Sequence, residues 1–219
     1  MNKPLNFILI GRSGSGKGTQ AKLLMKHFGN LFYISTGNLF RSLSKSNSDA
    51  AKRVKKIVKA GGLPFKNLAT ALWTYEITHK VKQDQGLILD GAPRRVDEAK
   101  DLDKLLEFLE RKEITFILLF DISRQEAFNR LSKRRICEKC GRLIPWVGEF
   151  KELKVCDKCG GELFTRPDDT PEAIKSRLDF FDKEVTKAVE YYEAQKRLVR
   201  VNGEQSIENV FKDVLKSIE

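Results

Sequence analysis

The chain has 219 residues, of which 41% are hydrophobic and 32% charged. That is enough for one well-buried core with room for inserts, or for two small domains, and it excludes wholesale disorder and fibrous architecture. Lys and Arg outnumber Asp and Glu by 41 to 30, a formal charge of +11, which points to polyanions: nucleic acid, acidic lipid or nucleotide phosphates.

The longest apolar runs, Leu5–Ile10 and Ile114–Phe120, have strand length, too short to span a bilayer. A glycine-rich loop follows Ile10 at once and leaves no room for a signal peptide, so the expected location is the cytoplasm, with no membrane partner. Leu5–Ile10 reads as a buried first strand, followed by the loop Gly11–Gly16 and a helix to about Phe28. Phe32–Ile34 is a second strand; Asn38–Lys45 and Asp49–Ala60 read as helices, the latter closed by Gly61-Gly62. Lys66–Lys82 carries a helical apolar pattern, and Leu87–Leu89 is a third strand ending at Asp90-Gly91. Val96–Arg111 is a helix with Leu102, Leu105, Leu106 and Leu109 on one face. Ile114–Phe120 is the fourth strand, and Ser123–Arg135 a helix capped by Ser123 with Glu126 three residues later. Ile136–Phe164 has short β-like pieces broken by Gly. Pro171–Gln195 is a long helix with Thr170 as N-cap, Leu198–Val201 a fifth strand and Ser206–Ile218 the last helix. Alternating strands and helices predict an α/β fold: a five-stranded parallel sheet covered on both faces.

Gly11-Arg-Ser-Gly-Ser-Gly16-Lys17 fits G-x-x-x-x-G-K between a strand and a helix. Backbone N–H groups of such a loop cradle phosphate oxygens, and Lys17 neutralises charge on the outer phosphates. The next residue is Gly18, then Thr19, where Ser or Thr commonly follows the Lys. The plain alternative is a glycine-rich turn with no ligand, which the conjunction of strand, loop, Lys and helix disfavours. Asp90, ending a buried strand, suits the water shell of a Mg²⁺ ion, or else caps the turn before Gly91.

The four cysteines form two C-x2-C pairs, Cys137/Cys140 and Cys156/Cys159, with fifteen residues between them. In a reducing compartment this reads as a closed four-thiolate site for structural Zn²⁺, against the alternative of redox or disulfide pairs. His27 and His79 have no evident partner, and Trp73 and Trp146 read as packing residues.

Gly16-Lys17-Gly18-Thr19-Gln20 resembles the nucleoside monophosphate kinases, adenylate kinases in particular. Ser35–Arg41, Asp90-Gly91-Ala92-Pro93-Arg94, Arg134-Arg135 before the cysteines, and Thr165–Asp169 with Arg177 resemble further motifs of that family in the same order. The resemblance implies a P-loop core of residues 1–34, 65–134 and 168–219, a helical monophosphate-binding insert at 35–64 and a zinc-bearing lid at 135–167. It implies reversible transfer of the γ-phosphoryl of ATP to AMP with Mg²⁺, by a monomer. Lys17, Asp90, Arg94, Arg134, Arg166 and Arg177 would then be catalytic. Gly14, Ser15, Gly16, Lys17, Gly18, Thr19, Arg130, Arg134 and Gln205 would hold ATP. Thr36, Arg41, Gly62, Leu63, Pro64, Gly91, Arg94, Glu98, Arg166 and Arg177 would hold AMP. Arginines suit this chemistry independently of the family, because phosphoryl transfer is mostly positioning and charge stabilisation, and each taken alone could equally be a surface charge.

The chain departs from the family pattern. Asn38 stands for Asp, Ala92 for Phe, Ile144 for a Tyr near the donor, Ser13 for Pro, and Glu98 for the Gln that reads adenine. A carboxylate at 98 could take the two adjacent donors of guanine, so a kinase for another monophosphate such as GMP is the alternative acceptor reading. A zinc-ribbon nucleic-acid binder is the alternative from another class. No aromatic–basic interleaving supports it, and no nucleic-acid partner is expected.

Overall fold

The computed structural model describes residues 4–59, 62, 64–166 and 168–218; Ala60, Gly61, Leu63 and Pro167 of the readings above lie outside them. Every residue of β1 (Asn6–Ile10) is buried, because strands flank it on both sides and helices cover both faces. It pairs in parallel with β3 (Gly86–Asp90) and β4 (Thr115–Asp121). Outside these lie β2 (Leu31–Ser35) and β8 (Leu198–Asn202), giving the order β2-β3-β1-β4-β8. The expected five-stranded parallel sheet is therefore present.

Successive residues of a strand point to opposite faces, so the sheet divides its side chains between two cores. Ile8, Ile10, Leu87, Leu89, Ile117 and Leu119 pack against α4 (Lys66–Lys80), α5 (Val96–Phe108) and α8 (Thr186–Ala194), which contribute Trp73, Leu102, Leu106 and Tyr192. Phe7, Leu9, Ile88, Leu118 and Phe120 pack against α1 (Lys17–Phe28) and α9 (Ile207–Lys216) through Ala21, Leu24, Val210 and Val214. Truncating one of the large members, such as Phe7 or Trp73, would cost about 3–5 kcal/mol.

Two insertions interrupt this core. Between β2 and α4 the chain forms α2 (Thr36–Leu43) and α3 (Asp49–Lys59), packed on α4 through Phe40, Val54 and Ala69. After α6 (Arg124–Ser132) it forms an antiparallel sheet of β5 (Arg135–Cys137), β6 (Leu143–Ile144) and β7 (Leu163–Thr165), with β5 in the middle. Among the described residues no helix is long and apolar enough to cross a membrane.

Helix ends depart from the periodicity reading where side chains have long-range work. The α5 helix stops at Phe108, not Arg111: Glu110 takes φ 54°, and Arg111 donates to Asn6 Oδ1 and the Gln85 carbonyl, tying together the lower ends of β1 and β3. The α6 helix has its Ser123 cap as expected but ends at Ser132, because Arg135 pairs with Ile144 and Thr165 in the small sheet. The α4 helix stops at Lys80, short of Lys82. The segment expected as one long helix is α7 (Pro171–Phe180), a π turn at Phe181–Val185, and α8.

Candidate functional site

The carboxyl ends of β1, β3 and β8 deliver Gly11, Asp90-Gly91 and Gly203 to one cleft of about 560 Å³, in the position where open parallel sheets take ligands. Gly11 follows β1 with φ 150°, and a Cβ there would sit 2.5 Å from the Phe120 carbonyl oxygen, so only glycine lets the loop start against β4. Gly16 then takes φ 92° immediately before α1. No side chain caps α1 and its first turn carries no acid. Its free N–H groups and positive dipole end are thus left to an anion.

Lys17 Nζ donates to the carbonyls of Gly11 and Arg12, each at 2.8 Å, and to Ser15 Oγ at 3.3 Å. Burial lowers its pKa to about 8; Asp90 opposes this, while Arg94 and Arg134 add to it. Arg41, Arg94, Arg134, Arg166 and Arg177 line the same cleft as Lys17. Burial likewise lowers the pKa of Arg41, Arg94 and Arg134, which are cations stripped of much of their water. Arg94 Nε donates to the Gly91 carbonyl at 2.7 Å. Arg134 donates from Nε and Nη2 to the two oxygens of Asp169, both at 2.8 Å, and Arg177 Nη2 reaches the same carboxylate at 2.7 Å. The Asp169 side chain is fully buried, and it holds two arginines from different elements in one place. Arg166 pairs with Asp168, and Arg41 donates to Asn38 Oδ1.

The cleft gathers most of the sequence-derived residues. Gly14, Ser15, Gly16, Lys17, Gly18, Thr19, Gly62, Pro64, Asp90, Gly91, Arg130 and Gln205 line it with the five arginines. Arg130 is held by Glu126 at 2.6 Å and the Gly203 carbonyl at 3.0 Å. Two described residues of the expected set stand outside the lining. Thr36 is buried, with no hydrogen-bond partner for its hydroxyl. Glu98 is 3% exposed; its carboxylate accepts the Arg94 backbone N–H at 2.9 Å and lies 3.8 Å from the Arg95 guanidinium. A Glu98 turned to water is therefore not what the fold shows.

Other residues were missed or misread. Tyr33 lines the cleft, and its hydroxyl donates to Asp90 Oδ2 at 2.7 Å; burial first, then that carboxylate, raises its pKa. Trp146, read as a packing residue, lines the cleft between Leu143, Pro145 and Val147, with Lys133 and Arg135 over its ring at 5.4 and 5.5 Å. Ile144, which stands where the family pattern has a Tyr near the donor, is buried at 1% exposure. Tyr33 sits in the middle of β2, and nothing in the sequence marked either it or Trp146 for the cleft.

The cysteines meet as their spacing predicts. All four Sγ atoms lie within 4.8 Å of one another, with Cys137–Cys159 at 3.5 Å and Cys140–Cys156 at 3.7 Å. A tetrahedral ZnS₄ site has S···S edges of ~3.8 Å from its Zn–S length of about 2.3 Å. Gly141 N–H donates to the Cys137 carbonyl and Gly160 N–H to that of Cys156, two equivalent turns that aim the thiols inward. The donor set, all sulfur and closed, fits a structural metal. The cleft carboxylates are fewer: among the described residues only Asp90 and Asp168 line it, which fits Mg²⁺ held mainly through water and ligand phosphates.

A family model described as adenylate kinase matches residues 9–197. The adenylate kinase of Thermosipho africanus is 35% identical over 217 residues, covering 98% of this chain and 99% of that protein. Those of Clostridium acetobutylicum and Methanothrix thermoacetophila are each 36% identical, covering 96% and 97% of this chain and 97% of each relative. With the phosphate loop, the arginine cluster and the four-cysteine sheet in one chain, matched along nearly its whole length, this protein belongs to the adenylate kinase family.

Proposed function

We propose that the chain transfers the γ-phosphoryl of ATP reversibly to AMP. The observation that carries this reading is the convergence of Lys17 and five arginines on one cleft above the sheet. Two polyanions brought together for in-line transfer need this concentration of fixed cations, and buried cations pay little reorganisation when charge moves between phosphates. The loop Gly14–Thr19 and the N-terminus of α1 hold the ATP phosphates, with Arg130 and Gln205 on the donor side. Arg41 and Arg94 hold the AMP phosphate, and Gly62, Pro64 and Gly91 line the AMP side of the cleft. Lys17, Arg134, Arg166 and Arg177 surround the transferred group, and Asp169 fixes two of them before substrate arrives. On binding, Lys17 exchanges its carbonyl partners for phosphate oxygens, and Arg166 exchanges Asp168. Asp90, oriented by Tyr33, is the residue to organise the water shell of Mg²⁺, which when bound neutralises charge on the phosphates. Zn²⁺ on Cys137, Cys140, Cys156 and Cys159 would hold together a lid with little core of its own.

Residues 35–64 and 135–167 act in this reading as insert and lid, closing to keep water from accepting the phosphoryl group. Paired thiols used as metal ligands suit a reducing compartment, so the enzyme is placed in the cytoplasm, acting as a monomer on ATP and AMP. The test is an assay with ATP, Mg²⁺ and AMP, GMP, CMP or UMP in turn. ADP formation fastest with AMP is expected; preference for GMP would move the assignment to the other acceptor, and no turnover with any of the four would overturn it.

A further inference from the structure

Of the loop residues Gly11–Gly18, Arg12 alone does not line the cleft. Its side chain runs outward to the far wall of the loop. Nη2 donates to Asp182 Oδ1 at 2.8 Å, Nη1 donates to the Ile122 carbonyl at 3.0 Å and lies 3.6 Å from Asp121, and the guanidinium stacks on Phe181 at 4.5 Å. Phe181 and Asp182 open the π turn between α7 and α8, a form of helix that recurs at functional sites. Phe181 itself lines the cleft. The Arg12 backbone, meanwhile, carries the geometry of the loop: its carbonyl accepts from Lys17 Nζ at 2.8 Å and from the Ser15 N–H at 3.1 Å.

We propose that Arg12 and Asp182 are positioning residues for the phosphate loop. Neither touches the substrate. The side chain of Arg12 anchors to the β4–α6 connection and the π turn, and its carbonyl sets where the loop turns and where Lys17 rests. The rigid cradle is then maintained by a bond that spans 170 residues of sequence. Arg124 bears on the same carboxylate from the other side, donating to Asp182 Oδ2 at 2.6 Å and pairing also with Asp179, and among the described residues it makes no hydrogen bond or ion pair to the loop. The fold therefore supplies its own control: the Arg124 pair shares the Asp182 carboxylate, from a more exposed side chain, but not the connection to Lys17.

This inference rests on the ATP-binding reading above. It is tested on the full-length zinc-loaded chain with Arg12→Gln, Asp182→Asn, the double variant and Arg124→Gln, by titrating ATP directly, measuring KM for ATP and for AMP, and recording thermal unfolding. Asp182→Asn keeps shape and removes charge. A charge-assisted hydrogen bond at a partly exposed site predicts about 5-fold weaker ATP binding for either single variant. The expected pattern is that KM for AMP stays within twofold, the double variant is no worse than Arg12→Gln alone, and Arg124→Gln lowers thermal stability without moving ATP affinity. ATP binding unchanged in both single variants, equal shifts for ATP and AMP, or an ATP defect in Arg124→Gln matching that of Asp182→Asn would each overturn it. Because ATP affinity is read without turnover, a parent chain that binds ATP but phosphorylates no monophosphate refutes the proposed function separately.

Discussion

Lys17 gives the sharpest test of how the cleft is built. Burial, reinforced by Arg94 and Arg134 and opposed by Asp90, holds its pKa at about 8 against an ordinary value of 10.5. In the free protein the ammonium is thus lost just above physiological pH, while ATP phosphates are already fully ionised there. Only the protonated amine can exchange the Gly11 and Arg12 carbonyls for phosphate oxygens with a gain in charge pairing. Since kcat/KM reports the free enzyme, kcat/KM for ATP should fall about 30-fold between pH 7 and 9.5, with a midpoint near 8. Bound phosphates restore the proton, so kcat should stay nearly level across the same range. Lys17→Met should lose on the order of 10³-fold in rate and with it the pH dependence.

The same depression has a stability sign. Between about pH 8 and 10.5 the unfolded chain holds the Lys17 proton that the folded chain has lost, so this group makes the empty protein more stable as pH rises through that window, by up to about 3 kcal/mol. Below pH 8 the charged amine is a cost to the fold, and Lys17→Met should melt no lower than the parent at pH 7. The measurements are steady-state pH profiles at saturating AMP and Mg²⁺ and denaturant unfolding of the ligand-free chain. A level kcat/KM from pH 7 to 9.5, or a Lys17→Met chain that is inactive because it is unfolded, would refute the reasoning.

Asp169→Asn leaves Arg134 and Arg177 around a neutral partner inside the fold; the expected cost is about 3 kcal/mol in denaturant unfolding, with kcat falling more than KM for either nucleotide. Elemental analysis of protein purified without added metal should find one Zn²⁺ per chain, and chelation should unfold the β5–β6–β7 sheet while the five-stranded core keeps its own melting transition; no stoichiometric metal would remove the zinc assignment. Glu98→Gln keeps an acceptor for the Arg94 N–H, so if Glu98 also reads the base the AMP/GMP ratio of kcat/KM should rise about 10-fold or more. A ratio within twofold of the parent would confine Glu98 to bracing Arg94.

What could be read from the sequence follows the range of the interactions concerned. The phosphate loop and the cysteine pairs are local: glycine positions, a Lys at fixed spacing and x2 turns carry their own geometry, and the structure reproduces both. The sheet was legible because strands buried on both faces must be continuously apolar. Helix ends were less so, since Arg111 leaves its helix for Asn6 of β1 and the loop before β3, and Arg135 leaves for partner strands of the small sheet, and no periodicity records that. The same limit hid the arrangement of the site. Arg134 and Arg177 were found by their motifs, but the carboxylate that holds them in place, Asp169, acts on a residue 35 positions away. Tyr33 acts on Asp90 across 57 positions.

Charge ties the two scales together. The excess of +11 could have belonged to a solvated surface, a nucleic-acid face or a nucleotide site, and composition has no means of choosing. Among the described residues, the cleft lining holds nine Lys and Arg side chains against two carboxylates. A large part of the excess therefore sits inside a cavity of about 560 Å³, where cations repel each other and lose hydration. The fold offsets this with carboxylates placed behind or beside the arginines, Asp169 fully buried and Asp168 at the rim, and by resting Lys17 on backbone carbonyls. Each of these partners is anionic or dipolar and, for Lys17 and Arg166, exchangeable. An incoming phosphate thus replaces an existing acceptor at little cost in reorganisation. The cations of the cleft are held in a balance of repulsion and pairing that depends on contacts between residues far apart in the chain.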